Sequence, residues 1–374
     1  MEELILLEII KVCERRHWQK FMEVPWQIYA RDPLWTPAPW DSRLQLFNPQ
    51  ANPLLSHVHL ECFLAFADNV PVGRIAAITD DLLNDQRIGL FGCFETVNHP
   101  EVARELIKAA CRSLAGQGKT LVQGPVTLNT SQQVGLLVEG YNIPPQPMMP
   151  YNPPYYAELL EQNGFGRLLD LYSYLWRAEF FRENNKLARV AARAAGIPGL
   201  QIRSFKYYDL YGEAKKLADI HNRSMTNQWG FVPMDQSEAA QFLAGLKDYT
   251  DPEMLIMCEV KKQPVGICLM MPDIGPQLRA ARRAGLFGSL SAFSRSRSLR
   301  VGVLAVIPDY RRRGVVALLI KKAMETAIKK GYRQAELSLI MDTNQDMNSI
   351  VASLAGSQVY KKYRVYEKAI LTDR

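Results

Sequence analysis

The stretch LRVGVLAVIPDYRRRGVVALLIKKAMETAIKKG, residues 299–331, decides the fold. Residues 300–307 form a short run rich in Val and Leu, closed by Pro308, and read as a strand buried on both faces. From Val315 onward, apolar residues recur at 315, 316, 319, 320, 323, 324 and 327. That 3.6-residue stripe, ending in Lys329, Lys330 and Gly331, predicts an amphipathic helix. Tyr310-Arg311-Arg312-Arg313-Gly314 joins the two elements. A turn whose backbone N–H groups open a helix, with a glycine for close approach and three guanidinium groups beside it, suits a pyrophosphate.

Outward from this core, residues 334–340 predict a strand, 347–354 a short helix and 360–369 a last strand. Upstream, 201–205 reads as a strand, 207–221 as a helix, and 254–260 with 265–271 as a hairpin. The N-terminal half repeats the order. Residues 59–67 and 72–80 form a hairpin turning at Asp68-Asn69, followed by a strand at 89–97 and a helix at 100–115. A strand from 121, a short helix at 155–162 and a strand at 168–176 complete it. In each half an Asn precedes the short helix and a Gly ends it at the same interval, Asn152 to Gly164 and Asn344 to Gly356. The chain therefore reads as two divergent copies of one fold. Residues 1–14 suggest a strand, and 21–52, with many prolines and Trp26, Trp35 and Trp40, a loop-rich covering segment.

Strand, Arg-x-x-Gly turn and amphipathic helix in this order resemble the acyl-CoA-binding core of the GNAT superfamily of N-acyltransferases. The family signature, Arg/Gln-x-x-Gly-x-Gly/Ala, falls here on Arg311, Gly314 and Val316. Val316 departs from it, being β-branched where the family keeps a small residue. The resemblance covers residues 201–374 by motif, and 59–176 by element order and by Asn152, Gly164 and Phe165. It implies an α/β protein of two GNAT-like α/β/α domains in tandem, with mixed central sheets flanked by helices. Residues 1–178 would be a degenerate copy with a Pro-rich insertion at 125–151, residues 179–200 a linker helix, and residues 201–374 the catalytic copy. The degenerate copy has no Arg-x-x-Gly turn in residues 93–100 and is expected not to bind CoA.

The activity implied is an acyl-CoA-dependent N-acyltransferase, foremost an N-acetyltransferase, with acetyl-CoA or another acyl-CoA as co-substrate and a small-molecule or peptide amine as acceptor. By resemblance, the backbone of Leu304, Ala305 and Val306 pairs with pantetheine. Arg311, Arg312, Arg313, Gly314, Val315 and Val316 hold the pyrophosphate, and Asn344 contacts pantetheine. Asn222, Asn227 and Trp229 are acceptor-lining candidates. Residues 301–307 contain no titratable side chain, so Glu336 on the next strand is the nearest carboxylate and the candidate base. The family's general-acid Tyr position holds Val351. Tyr360, Tyr363 and Tyr366 are its substitutes, with Tyr366 carried as the catalytic one. Two other readings use the same residues. One is a tandem-fold transferase that takes an aminoacyl group from tRNA; the other is a module that binds CoA or a partner without turnover.

Composition sets the frame. A chain of 374 residues, 48% hydrophobic and 22% charged, is globular and long enough for two cores. No run approaches the roughly 18 apolar residues of a membrane span. The N-terminus carries acidic residues at once, so the cytoplasm is the expected location. Six scattered cysteines fit a reducing compartment, and five histidines with one close pair, His57 and His59, predict no metal site. The net charge of +7 is concentrated. No acidic residue lies between Asp273 and Asp309, while Arg279, Arg282, Arg283, Arg295, Arg297 and Arg300 do. That stretch reads as a mobile insertion bordering the CoA or acceptor entrance.

Overall fold

The computed structural model describes residues 6–37, 45–180, 185–284, 296–354 and 357–371. In chain order these form β1 (Leu7–Lys11), α1 (Arg15–Ile28), β2 (Val58–Ala67), β3 (Val70–Asp80), β4 (Ile88–Thr96), α2 (Pro100–Gly116), β5 (Leu121–Val126), β6 (Leu136–Glu139), α3 (Tyr155–Gln162) and β7 (Gly166–Arg177). After them come α4 (Asn185–Ala195), β8 (Leu200–Ser204), α5 (Leu210–Ser224), α6 (Gln236–Lys247), β9 (Leu255–Val260), β10 (Gln263–Pro272) and α7 (Gly275–Arg283). The chain closes with β11 (Ser298–Val306), α8 (Val315–Lys329), β12 (Gln334–Met341), α9 (Gln345–Ala352) and β13 (Gln358–Ala369).

Two compact units result, each a mixed sheet with helices, as the α/β assignment requires. They are not the segments 1–178 and 201–374. The first contains residues up to Asn48, Leu54–Leu171 and the chain from Lys361 on; the second contains Pro49–Pro53 and Tyr172–Tyr360. In the first unit the strands run β1-β2-β3-β4-β5-β13, and in the second β8-β9-β10-β11-β12-β7. The two orders are the same, except that each copy is closed by the other's last strand. Both closing strands are 12 residues long. Tyr366–Ala369 pair antiparallel with β5, Tyr366 opposite Gly124 and Ala369 opposite Leu121.

Local signals behave alike in the two units. The β2–β3 hairpin turns on Asp68 (φ 50°) and Asn69 (φ 63°), and β9–β10 on Lys261 (φ 50°) and Lys262 (φ 69°). Two successive left-handed residues make the tight turn whose twist matches the strands it joins. In the first unit α2 lays Val102, Leu106, Ile107, Ala110 and Leu114 on the sheet. In the second, α8 does the same with Val315, Leu319, Ile320, Ala323 and Ala327.

Two expectations are corrected, and one helix is added where none had been expected. Residues 15–28, which run into the stretch 21–52 expected to be loop-rich, form α1 despite the interior Pro25. Phe21, Met22, Val24 and Pro25 make its buried side. Helix α6 follows the segment 222–233 and is opened by a capping box, with Asp235 Oδ1 accepting from the Glu238 N–H and Glu238 accepting from the Asp235 N–H. The basic stretch is also not one loop. Arg279, Arg282 and Arg283 lie on α7, while Arg300 lies within β11, in the strand expected over 300–307. Trp40, Arg295 and Gly356 fall outside the described residues.

Candidate active site

β11 pairs with β10 on one side and with β12 on the other, but the two ladders differ in length. Antiparallel pairing with β10 runs to Val306, opposite Gly266. Parallel pairing with β12 covers only Ser298–Val301 opposite Gln334–Leu337. Beyond Val301 the described strands part, leaving residues 302–306 with an edge toward the gap. The β10 register slips between Leu269 and Met270, which pair with Val303 and Val301, so Gly302 is a bulged extra residue. Bulges of this kind bend a strand and re-aim its backbone groups. The gap opens into a cleft of about 700 Å³ whose lining includes Leu304, Ala305, Val306, Arg311, Arg312, Gly314, Val316, Asn227 and Asn344. The sequence had assigned these residues to one site.

The turn between β11 and α8 divides its arginines. Arg311 is tied down: its Nε donates to Val306 O at 3.2 Å and its Nη2 to Ser224 O at 2.6 Å, joining the end of β11 to the end of α5. Arg312, in the left-handed region at φ 58°, is largely exposed and sits 3.8 Å from Asp346. Arg313 lies over the Tyr310 ring, 5.6 Å from its centroid. Val315, expected among the phosphate contacts, is fully buried in the core. Gly314 caps α8 at φ 86°. A Cβ there would lie 2.3 Å from the carbonyl oxygen of Val190 on α4. The glycine is therefore required by a helix packed on it, a reason the sequence did not supply.

Glu336 is fully buried and is held by hydroxyls. Ser338 donates to its Oε1 at 2.7 Å, Ser173 donates to the same oxygen at 3.4 Å, and Tyr360 donates to Oε2. Ser338 Oγ in turn accepts from Arg300 Nε at 2.9 Å. The chain Arg300–Ser338–Glu336 is thus continuous, and all its members are buried. Ala335 and Leu337 line a small apolar pocket under α8, so strand alternation turns Glu336 and Ser338 to the opposite face. Arg300 and Ser173 had no assigned role in the sequence. Arg300 had been counted with the basic stretch, and Ser173 comes from the exchanged strand β7.

Other expected residues are placed differently. Asn222 uses its amide to fasten residue 234, donating to Met234 O at 2.9 Å and accepting from Met234 N at 2.8 Å. Its neighbour His221 is held below the ordinary histidine range by burial. Trp229 does not line the cleft, whereas Asn227 does. Asn344 caps α9 by accepting from Met347 N at 3.2 Å. Tyr366 belongs to the first unit, where its hydroxyl donates to Glu161 at 3.0 Å. The structure brings Tyr360, not Tyr366, to Glu336.

In the first unit the corresponding strands remain together. The β4–β5 ladder extends to Gly92 opposite Val126, and a Cβ on Gly92 would lie 1.9 Å from Val126 O. Helix α2 opens on His99 and Pro100 with no arginine turn. Asn152 accepts from Leu137 N and donates to Leu137 O, so it anchors β6 and does not cap α3. Among the described residues no cluster of three or more His, Cys, Asp or Glu could hold a metal, and no helix is long and apolar enough to cross a membrane.

Residues 214–352 match the Acetyltransferase (GNAT) family. Over 97% of its length the chain is 28% identical to a protein of Caulobacter vibrioides (strain NA1000 / CB15N) named bacterial ceramide synthase, covering 98% of it. It is 30% identical to Protein YghO of Escherichia coli (strain K12), with 94% of this chain and 92% of that protein covered. Among solved structures, a tandem GNAT protein from the clavulanic acid biosynthesis pathway superposes with a TM-score of 0.57 at 12% identity, covering 97% and 98% of the two chains.

Proposed function

The chain belongs to the GNAT acyltransferase superfamily, and from that premise we propose that its second unit transfers an acyl group from acyl-CoA to an amine in the cleft beside β11. The observation that carries this reading is the parting of β11 from β12 next to an Arg-x-x-Gly helix start. Backbone groups of Leu304, Ala305 and Val306 at the open edge would align pantetheine, and the bulge at Gly302 would aim an N–H at the thioester carbonyl. The amine nitrogen attacks the carbonyl carbon, the C–S bond breaks, and the electron pair leaves on the CoA sulfur. Neither Glu336 nor Tyr360 is in the cleft lining, so Glu336 would take up the amine proton through a relay of hydroxyl and water, and the Tyr360 phenol would return a proton to the thiolate by the same relay.

The acyl group is proposed to be longer than acetyl. Its support is the similarity to a ceramide synthase, together with a wholly apolar pocket that shares Leu304 and Leu354 with the cleft. As it stands this pocket holds about 30 Å³, enough for one small group. Met270 and Met324 in its wall are the adaptable side chains that could turn aside for a chain. On the same analogy the acceptor is the amine of a long-chain amino alcohol. The experiment is CoA release from acetyl-, octanoyl- and palmitoyl-CoA with sphinganine or a small amine as acceptor. Turnover rising with chain length supports the reading. Turnover with acetyl-CoA alone restores the acetyl donor read from the sequence, and no turnover with any pair removes the enzymatic reading.

A further inference from the structure

Helix α4 had only a linking role in the sequence, yet its placement in the second unit makes it a wall of the cleft. Its backbone sits directly on the turn. The point where a Gly314 Cβ would stand is 2.3 Å from Val190 O, 3.1 Å from Ala194 N and 3.3 Å from Arg193 Cβ. Ala191 and Ala194 are buried, so small residues permit the close approach. In this position Leu187, Val190 and Arg193 line the cleft. Arg193 is exposed, and its stem starts against the turn that opens α8.

The charge arrangement gives this a consequence. Arg311 spends two donors on backbone carbonyls, and Arg313 lies over Tyr310 and is not in the cleft lining. Arg312 lines the cleft but faces the Asp346 carboxylate. The family turn therefore presents fewer unengaged guanidinium donors to a diphosphate than its three arginines suggest. We infer that Arg193 of α4 supplies a phosphate-binding guanidinium for the CoA donor, so that the segment between the two copies is part of the donor site. The inference rests on the acyl-CoA reading above. A fork-shaped guanidinium with a short path to the turn can donate two hydrogen bonds to phosphate oxygens.

Titration of the full-length protein with CoA tests both steps separately. The variants are Arg193→Gln and, as a control on an exposed α8 cation outside the cleft lining, Lys322→Ser. Wild type and K322S are expected to bind alike. R193Q is expected to bind about tenfold more weakly at low ionic strength, with a smaller salt dependence and an unchanged Tm without ligand. If wild type binds no CoA, the donor-site reading falls. If wild type binds and R193Q equals it at every salt concentration, only the role of Arg193 falls. Should R193Q not fold, phenylglyoxal labelling of the wild type decides: CoA is expected to protect Arg193, and labelling unaffected by CoA would overturn the assignment.

Discussion

Arg300 on β11 stands directly opposite Glu336 on β12, at the third of the four registered pairs before the strands part. The Ser338 hydroxyl links their side chains, accepting from one and donating to the other. A buried carboxylate so arranged, and also bonded to a phenol, has the partners needed to accept a proton and pass it on.

Glu336→Gln keeps the shape and one acceptor oxygen, replaces the other by a donor NH2, and removes the base. It is expected to lower kcat by about 10²- to 10⁴-fold with little change in the Kd for CoA. Tyr360→Phe should lower kcat with the same lack of effect on CoA binding. Stopped assays with parallel thermal melts check this. A Tm loss with kcat retained would make the network structural.

Gly314→Ala places a methyl against Val190 O and a Cβ at φ 86°. The left-handed conformation alone costs about 1–2 kcal/mol, and the backbone contact adds to it. The ligand-free protein should therefore melt several degrees lower, since α4 must lift from the turn. An unchanged melt would mean that α4 does not seat on Gly314.

A fragment of residues 1–178, the boundary read from the sequence, lacks the strand that pairs with β5. It also lacks Arg364, whose Nε donates to Asp170 at 2.8 Å, and Lys361, which donates to Pro144 O at 2.8 Å. The fragment should show no cooperative melting alone, and adding a peptide of residues 357–374 should restore it. Cooperative folding of 1–178 without the peptide would contradict the exchange.

That exchange marks where the sequence stopped being legible. The hairpins, the β11 strand, the turn and α8 are local patterns, carried by alternation, by a 3.6-residue stripe and by turn residues, and they lie within a few residues of their expected bounds. Which sheet a closing strand joins is not local. The strand ending at Ala369 has the same alternation whether it pairs with β12 or with β5. The site divides in the same way. Leu304 to Val306, Arg312 and Asn344, named from the family motif, line one cleft. Arg300 and Ser173 reach the Glu336–Ser338 pair only through register between strands distant in sequence, whereas Ser338 stands two residues from Glu336 on β12. Two missed helices did carry signals, the apolar spacing of Trp18, Phe21, Met22 and Pro25 and the capping box of Asp235 and Glu238.

Glu95 in the first unit gives a pH test. Tyr29 and Tyr156 donate to its Oε2 at 2.8 and 2.9 Å, and Arg74 is 4.0 Å from Oε1. Burial raises its carboxyl above the ordinary range despite these partners. The native state thus holds a proton that the unfolded chain has released, and stability falls as pH rises from the unfolded pKa through the folded one. Glu95→Gln cannot ionise, so its Tm relative to wild type should rise by a few degrees between pH 4 and pH 7. A difference independent of pH would contradict the shift.

The most direct measurement of the central claim is calorimetric titration of the full-length protein with CoA. The fold occurs twice, but among the described residues the strands part beside an arginine turn only in the second unit, while in the first Gly92 remains against Val126. The expected result is one CoA bound per chain, with the heat abolished by Arg312→Glu. Two equivalents per chain, or one that survives Arg312→Glu unchanged, would contradict the account.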